Sequence, residues 1–350
     1  MDCTMASEGV AVLDASACHQ EAGRWQDLLE GSYDNRIFLS PVWHQVWWEH
    51  FGSGSLNILT MRDAAGAFTG LLPLTVLERD GGSTLTLLGD HQVADYMDGA
   101  AVKSEAASIL VDLWREAFDR LTWDRLELRH VPSASPLVPA LQMVARERGL
   151  ALQVEPDEVC PVALLCNTWD GYLQMLNKKQ RHEIRRKLRR SQEGAEWSWR
   201  TVETAADLER DLTTFFRLHE ASAGEKAQFM TPAMQIFFRS IAAVLLEAGI
   251  LRLSTFARDG VDIASTMCFF HRDRYLLYNS GYDPAYAVVN PGIAAVAMAM
   301  QAAIAERAVA FDFLSGDDPY KYQFGASNTH TCQIELSRGA LQRHMDSKDC

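Results

Sequence analysis

Polar and apolar positions along the chain follow two periods, and the switches between them predict its elements. Short apolar runs bounded by Gly, Asp or Asn read as strands, and stripes at three- and four-residue spacing read as helices. The first strong helix signal is Pro41-Val-Trp-His-Gln-Val-Trp-Trp-Glu-His50, with Ser40 as N-cap and proline at the first helical position. Residues 56–62 and 68–77 read as strands joined by Asp63-Ala-Ala-Gly66, a hairpin. Asp80-Gly-Gly82 turns the chain into a third strand, 84–88. A helix over 104–121, a short strand over 125–129, a loop over 131–136 and a helix to Arg148 complete the first half.

The second half shows the same order. Strand 251–257 turns through Arg258-Asp-Gly260 into 263–270, and His271-Arg-Asp-Arg274 leads to a third strand, 275–280. Pro291 and Gly292 open an Ala-rich helix ending near Arg307, and Ala310-Phe-Asp-Phe-Leu314 reads as a strand. The halves superpose in sequence with an offset of about 195 residues at the start and about 185 at the end. Repetition on this scale predicts two copies of one α/β unit, divided as 1–165 and 166–350.

Composition narrows the class. The 350 residues are 48% hydrophobic and 23% charged, the mix of a globular protein, and the net charge is -13 with a pI near 5.2. Such an acidic chain argues against coating nucleic acid or anionic membrane with its general surface. The seven cysteines include no C-x-x-C pair, which predicts reduced thiols and no zinc site or other metal. Residues 1–20 have no basic start, so no signal peptide is expected. The longest apolar stretch, 292–304, is shorter than the roughly 20 residues that span a bilayer and reads as a buried core helix. A cytoplasmic protein without a transmembrane segment is the expectation.

One segment reverses the charge. Asn177-Lys-Lys-Gln-Arg-His-Glu-Ile-Arg-Arg-Lys-Leu-Arg-Arg190 holds eight Lys or Arg and one acid, about +7, leaving about -20 elsewhere. Leu173, Ile184 and Leu188 give it an apolar stripe. Like charges at i and i+4 oppose an isolated helix. The segment is therefore either a solvated helix facing the protein's own acids or a phosphate site, with Arg185 and Arg189 the preferred pair. A second anion signal is Asn290-Pro-Gly-Ile293, where a helix start offers free amides and the positive end of its dipole. The third segment is Asp312-Phe-Leu-Ser-Gly-Asp-Asp-Pro-Tyr-Lys-Tyr-Gln-Phe-Gly325: an acid inside an apolar strand, Gly316 after the strand, and an exposed Tyr320-Lys321 pair. Lys321 is either a surface lysine or a charge placed next to a reacting acyl group.

At these residues the sequence resembles the GNAT fold of acyl-CoA-dependent N-acyltransferases. More narrowly it resembles the tandem-GNAT, CelD-type (cellulose-biosynthesis) acetyltransferases, related to Fem-type peptidyltransferases. The carriers are Phe38-Leu-Ser-Pro-Val-Trp43 with Trp47-Trp48, Leu71-Leu-Pro-Leu74 and Asp95-Tyr-Met-Asp98 in the first half. In the second they are Lys179-x-Arg181 with Ile184-Arg-Arg186, Leu218-His219, Tyr282-Asp-Pro-Ala-Tyr286 with Pro291-Gly292, Asp312-Phe-Leu-x-Gly316 and Tyr320-Lys321. The resemblance runs from about Trp25 to about Leu336.

It implies two GNAT-like domains, each a mixed, mainly antiparallel sheet flanked by helices, with the strand 331–337 returning to the first domain. It implies an acyl-CoA donor, such as acetyl-CoA, held by Asn290, Pro291, Gly292 and Ile293, and transfer to an amine of a sugar, lipid or peptide by direct attack. Asp312 and His219 are then the candidate bases, Tyr320 and Lys321 lie at the chemistry, and Asp95, Tyr96, Asp98 and Gly316 meet the acceptor. The usual loop Gln/Arg-x-x-Gly-x-Gly/Ala is replaced by Asn290-Pro-Gly-Ile-Ala294, and Leu218-His219 is followed by Glu220-Ala-Ser222. The first half has no counterpart of Pro291-Gly292, so it is expected to shape the acceptor site. Two other readings stay open: an aminoacyl-tRNA donor tracked by the basic helix, and a non-catalytic binding protein of a polysaccharide or lipid pathway.

Overall fold

The structure, a computed structural model, describes residues 8–79, 81–89, 92–222 and 229–337. Asp80 of the predicted turn, the start of the N-terminal stretch, Cys3 and Cys350 lie outside the described residues. The chain divides into two compact units, Met1–Glu158 with His330–Cys350, and Val159–Thr329.

In unit 1 the order is β1 (Glu8–Leu13), α1 (Ala15–Gln20), α2 (Ala22–Gly31), α3 (Pro41–Phe51), β2 (Ser55–Arg62), β3 (Phe68–Arg79) and β4 (Gly82–Leu87). Then come β5 (Ala100–Ala101), α4 (Ala106–Arg120), β6 (Arg125–Pro132), α5 (Leu137–Glu147) and β7 (Leu152–Leu164), which ends in unit 2. Strands β1 to β4 pair antiparallel in sequence order, and β6 joins β4 in parallel through Thr84 with Arg125 and Leu85 with Leu126. Helix α3 starts as its sequence dictates: the Ser40 side chain accepts the Trp43 N–H, and Trp43, Val46 and Trp47 are buried. The hairpin between β2 and β3 is closed by Asp63, whose carboxylate accepts the N–H groups of Ala65 and Ala67.

In unit 2 the order is α6 (Trp169–Met175), α7 (Lys178–Gln192), β8 (Trp197–Thr201), α8 (Ala205–Ala221), α9 (Pro232–Glu247), β9 (Leu251–Arg258), β10 (Val261–His271) and β11 (Arg274–Tyr282). It continues with α10 (Pro291–Ala305), β12 (Ala310–Asp312), α11 (Pro319–Gln323) and β13 (Ser327–Ser337). Strands β8 to β11 pair antiparallel, β12 joins β11 in parallel, and the end of β7 pairs with β12. Residues 331–337 of β13 pair with β6, in unit 1. Each unit thus has a mixed, mainly antiparallel sheet flanked by helices. Helix α10 is the buried Ala-rich helix, with Ala294 to Met300 all buried.

Two sequence expectations need correction. Leu173 does not belong to the basic helix: the chain breaks at Leu176, and Asn177 starts α7 with a capping box closed by Gln180. The strand expected over 310–314 stops at Asp312, because Leu314 takes a left-handed φ of 55° and its N–H turns to the Asp312 carboxylate at 2.9 Å.

A buried ion cluster holds α8 to the sheet of unit 2. Asp211 is 2% exposed and accepts both Arg200 and Arg210, while Arg200 also grips Asp262 bidentately at 2.7 Å.

Candidate active site

Helix α10 is preceded by a 3-10 turn, Pro284–Val289, and by Asn290 at φ 55°, a left-handed residue that reverses the chain into the helix. The first intrahelical bond runs from Ala294 N–H to Asn290 C=O, and Pro291 has no N–H. The amides left at this end are those of Gly292 and Ile293, both half-buried. A Cβ on Gly292 would lie 3.1 Å from the Tyr282 ring, a tight contact to which the ring would have to yield.

Strand β11 delivers the chain to this point. It pairs with β12 only from Arg274 to Leu276, then runs on to Tyr282 bonded to β10 alone. The register slips between Met267 and Cys268, the kind of bulge that twists a strand away from its neighbour. Past Leu276 the side of β11 that faced β12 is closed in part by side chains: Asn279 Oδ1 accepts the Ser280 N–H at 2.9 Å and Ser222 Oγ accepts the Tyr282 N–H at 3.0 Å.

The basic helix lies against both ends of this arrangement. Ile184 is buried, and Leu188 packs with Tyr286 and Val289 on the cluster that contains Ala294 and Ala295 of α10's first turn. Gln180 donates to the Tyr322 carbonyl and Lys187 to Gln323, tying α7 to α11. Arg185 and Arg189 flank Leu188 and line an open depression with Gln192 and Glu193. Their side chains are 56% and 75% exposed, and their ion pairs with Asp170 and Glu193 are loose, 3.4 and 3.9 Å. Among the described residues Lys178, Lys179 and Arg190 have no ion pair. The protein's own acids thus neutralise only a small part of the helix.

The segment after β12 is more tightly built than its sequence suggests. Asp312 is 2% exposed and its carboxylate fixes the turn at Leu314. Lys321 is not at the surface: it is also 2% exposed, and its ammonium donates to the carbonyls of Ser315 at 2.7 Å, Gly316 at 2.8 Å and Leu314 at 3.3 Å. Gly316 has φ 106°, a conformation that side chains rarely adopt, and that geometry aims its carbonyl at the lysine. Tyr320 is half-buried with its ring edge-on to Phe313, and burial, with the nearby Asp318, pushes its hydroxyl well above the usual tyrosine range.

His219 lies in the last turn of α8, fully buried, with Nε2 3.1 Å from Asn279 Oδ1 on β11 and the rings of Phe215 and Phe229 beside it. Asn279 was not among the residues singled out from the sequence. Its signal was a polar Asn-Ser pair closing an apolar strand.

The acceptor candidates of unit 1 are placed mostly inside it. Tyr96 is 2% exposed under the Arg36 guanidinium, 3.8 Å from the ring centre. Asp98 is 2% exposed, and one carboxylate oxygen accepts Tyr33 Oη, Ser135 Oγ and Gly99 N within 2.9 Å. Burial outweighs those three bonds and raises its pKa to about 7. Asp95 alone of the three is half-buried. Tyr96 and Asp98 order the loop that presents it.

Residues 178–322 match the family model described as Acetyltransferase (GNAT) domain. That stretch contains α7, β8 to β12, α10 and the Tyr320-Lys321 segment. No curated protein matches the chain. Among solved structures, FemX superposes with a TM-score of 0.66 at 10% identity over 96% of this chain and 99% of its own. A conserved protein of unknown function from Bacteroides thetaiotaomicron gives 0.58 at 10% identity over 96% and 100%. L-PGS from Bacillus licheniformis gives 0.50 at 8% identity over 83% and 90%. At these identities the likeness is one of fold.

Proposed function

We propose that the chain transfers an acyl group from an acyl-CoA to a neutral amine of a sugar, lipid or peptide acceptor, as a tandem-GNAT N-acyltransferase of the CelD type. The observation that carries this reading is the opening of α10, where Asn290, Pro291, Gly292 and Ile293 expose two helix N-terminal amides beside the weakly neutralised α7. The amides and helix dipole suit the pyrophosphate of CoA. Arg185 and Arg189, as exposed guanidinium forks, suit a phosphate.

In the reaction the amine nitrogen attacks the thioester carbonyl, a C–N bond forms, the C–S bond breaks and CoA leaves as the thiol. The Tyr320 hydroxyl, held protonated by burial, can give its proton to the departing sulfur. The amine's proton goes to a base through water, because Asp312 and His219 are both buried. Lys321 holds the turn 314–316 beside Tyr320 and acts as a positioning residue rather than a free charge. The test is release of free CoA from acetyl-CoA with a panel of amines. Tyr320→Phe should lower kcat and leave CoA affinity unchanged, and an unchanged kcat would remove Tyr320 from the chemistry.

The exposed cations of α7 favour one second reading, the aminoacyl-tRNA donor that the Fem-type resemblance implies. Retention of tRNA that falls steeply with salt would support it, since each phosphate contact adds to the salt slope. No retention at low salt would exclude it.

A further inference from the structure

Unit 1 contains a cavity that the proposed transfer reaction does not use. It measures about 260 Å³ and lies among α1, α2, α3 and β2, with Cys18, Trp25, His44, Trp48, Leu56 and Ile58 in its wall. An apolar cavity of about 150 Å³ already takes up benzene, so this one has room for a substituted ring.

The polar groups in the wall are His44, Trp25 and Cys18, with His19, Gln45 and Glu49 toward the exposed side. His44 is 5% exposed, and among the described residues neither of its ring nitrogens has a hydrogen-bond partner. The Trp25 indole N–H is likewise buried without an acceptor, and the two rings lie 5.2 Å apart, tilted by 32°. The Trp47 and Trp114 indoles are in the same state, so it is His44, with both ring nitrogens unmet, that points to a missing partner. Burial lowers the His44 pKa to about 3, so at neutral pH the ring is uncharged, with one N–H and one lone pair. Neither Lys nor Arg lines the cavity, and its second histidine, His19, is exposed at the rim, so a carboxylate or phosphate in the interior would have no fixed counter-charge. The one acid in the wall, Glu49, is exposed and bonded to Gln45, at the rim rather than the interior. A neutral hydroxyl both donates and accepts, which matches His44 in either tautomer and can also accept from Trp25.

We infer that unit 1 carries a binding site for a small, uncharged aromatic molecule bearing a hydroxyl group, a phenol-type ligand, held between Trp25 and Trp48 with its hydroxyl on His44. The test uses phenol as probe and toluene as its isostere without the hydroxyl, titrated against the full chain by calorimetry and tryptophan fluorescence. Phenol should bind saturably and roughly tenfold more tightly than toluene, the margin of a buried polar group gaining or missing its partner. His44→Phe should erase that margin, with the two probes binding alike. Ala22→Trp, which fills the cavity, should abolish both. Equal affinities in the parent protein would overturn the hydroxyl assignment without recourse to any variant. Absence of saturable phenol binding at millimolar concentration would overturn the site.

Discussion

The helices that follow the third antiparallel strand differ between the units at their first turns. In unit 2, α10 starts from a left-handed Asn290 and leaves the amides of Gly292 and Ile293 in reach, with a helix of eight Lys or Arg packed alongside. In unit 1, α4 starts after Glu105, an acidic N-cap residue whose side chain makes no capping hydrogen bond, and the preceding β5 is paired onto β3. One strand order therefore accompanies two different electrostatic ends. The buried acids differ in the same sense: Asp211 of unit 2 faces two arginines, whereas Asp98 of unit 1 faces neutral donors. The buried acid is thus paired with cations in unit 2 and with neutral donors in unit 1.

The largest expected effect follows from that contrast. Asp98 has its pKa raised from the ordinary 3.8 to about 7, so the folded state holds its proton more tightly than the unfolded chain. Its stabilising contribution is complete below about pH 4 and is lost as pH rises through 7, by at most about 4 kcal/mol. Asp98→Asn should flatten the pH dependence of urea unfolding and exceed the parent in stability at pH 8. A parent whose unit 1 stability rises between pH 4 and 7 would break the contrast. Next, Asp211→Ala should cost about 3 kcal/mol, read as a lower urea midpoint, because it strips a buried partner from Arg200. Lys321→Met should cost about 2 kcal/mol by leaving three carbonyls without their donor, read as a lower unfolding midpoint with a parallel fall in kcat. Gly292→Val should weaken CoA binding roughly tenfold by closing the amides, while Glu105→Gln in unit 1 should leave it unchanged. Smallest, Arg185→Ala and Arg189→Ala should each weaken CoA roughly threefold at low salt and less at high salt.

Much of this contrast was legible before the structure. The hairpins β2–β3 and β9–β10 follow from apolar runs separated by Gly-containing turns, and α3 and α10 from Ser40-Pro41 and Pro291-Gly292. Strand β7 was not legible: Leu152 to Leu164 carries two prolines and three acids, and its first half is exposed, so it lacks the alternation that marks a strand. The break between α6 and α7 was hidden because the stripe from Leu173 to Leu188 keeps helical spacing across it. In the site, the residue types were readable but their burial was not. Lys321 reads as a surface lysine until the left-handed Leu314 and the φ of Gly316 fold three carbonyls onto it. Tyr96 and Asp98 likewise read as surface contacts, and the reason they are not lies in Tyr33, Arg36 and Ser135, all distant in sequence.

The central claim is that the opening of α10 and the flank of α7 hold the phosphates of a CoA donor. Calorimetric titration of CoA into the full chain tests it most directly. The account predicts saturable binding at one site, weakened in Gly292→Val and in the Arg185→Ala, Arg189→Ala pair and intact in Glu105→Gln. No binding, or binding indifferent to all of these changes, would contradict it.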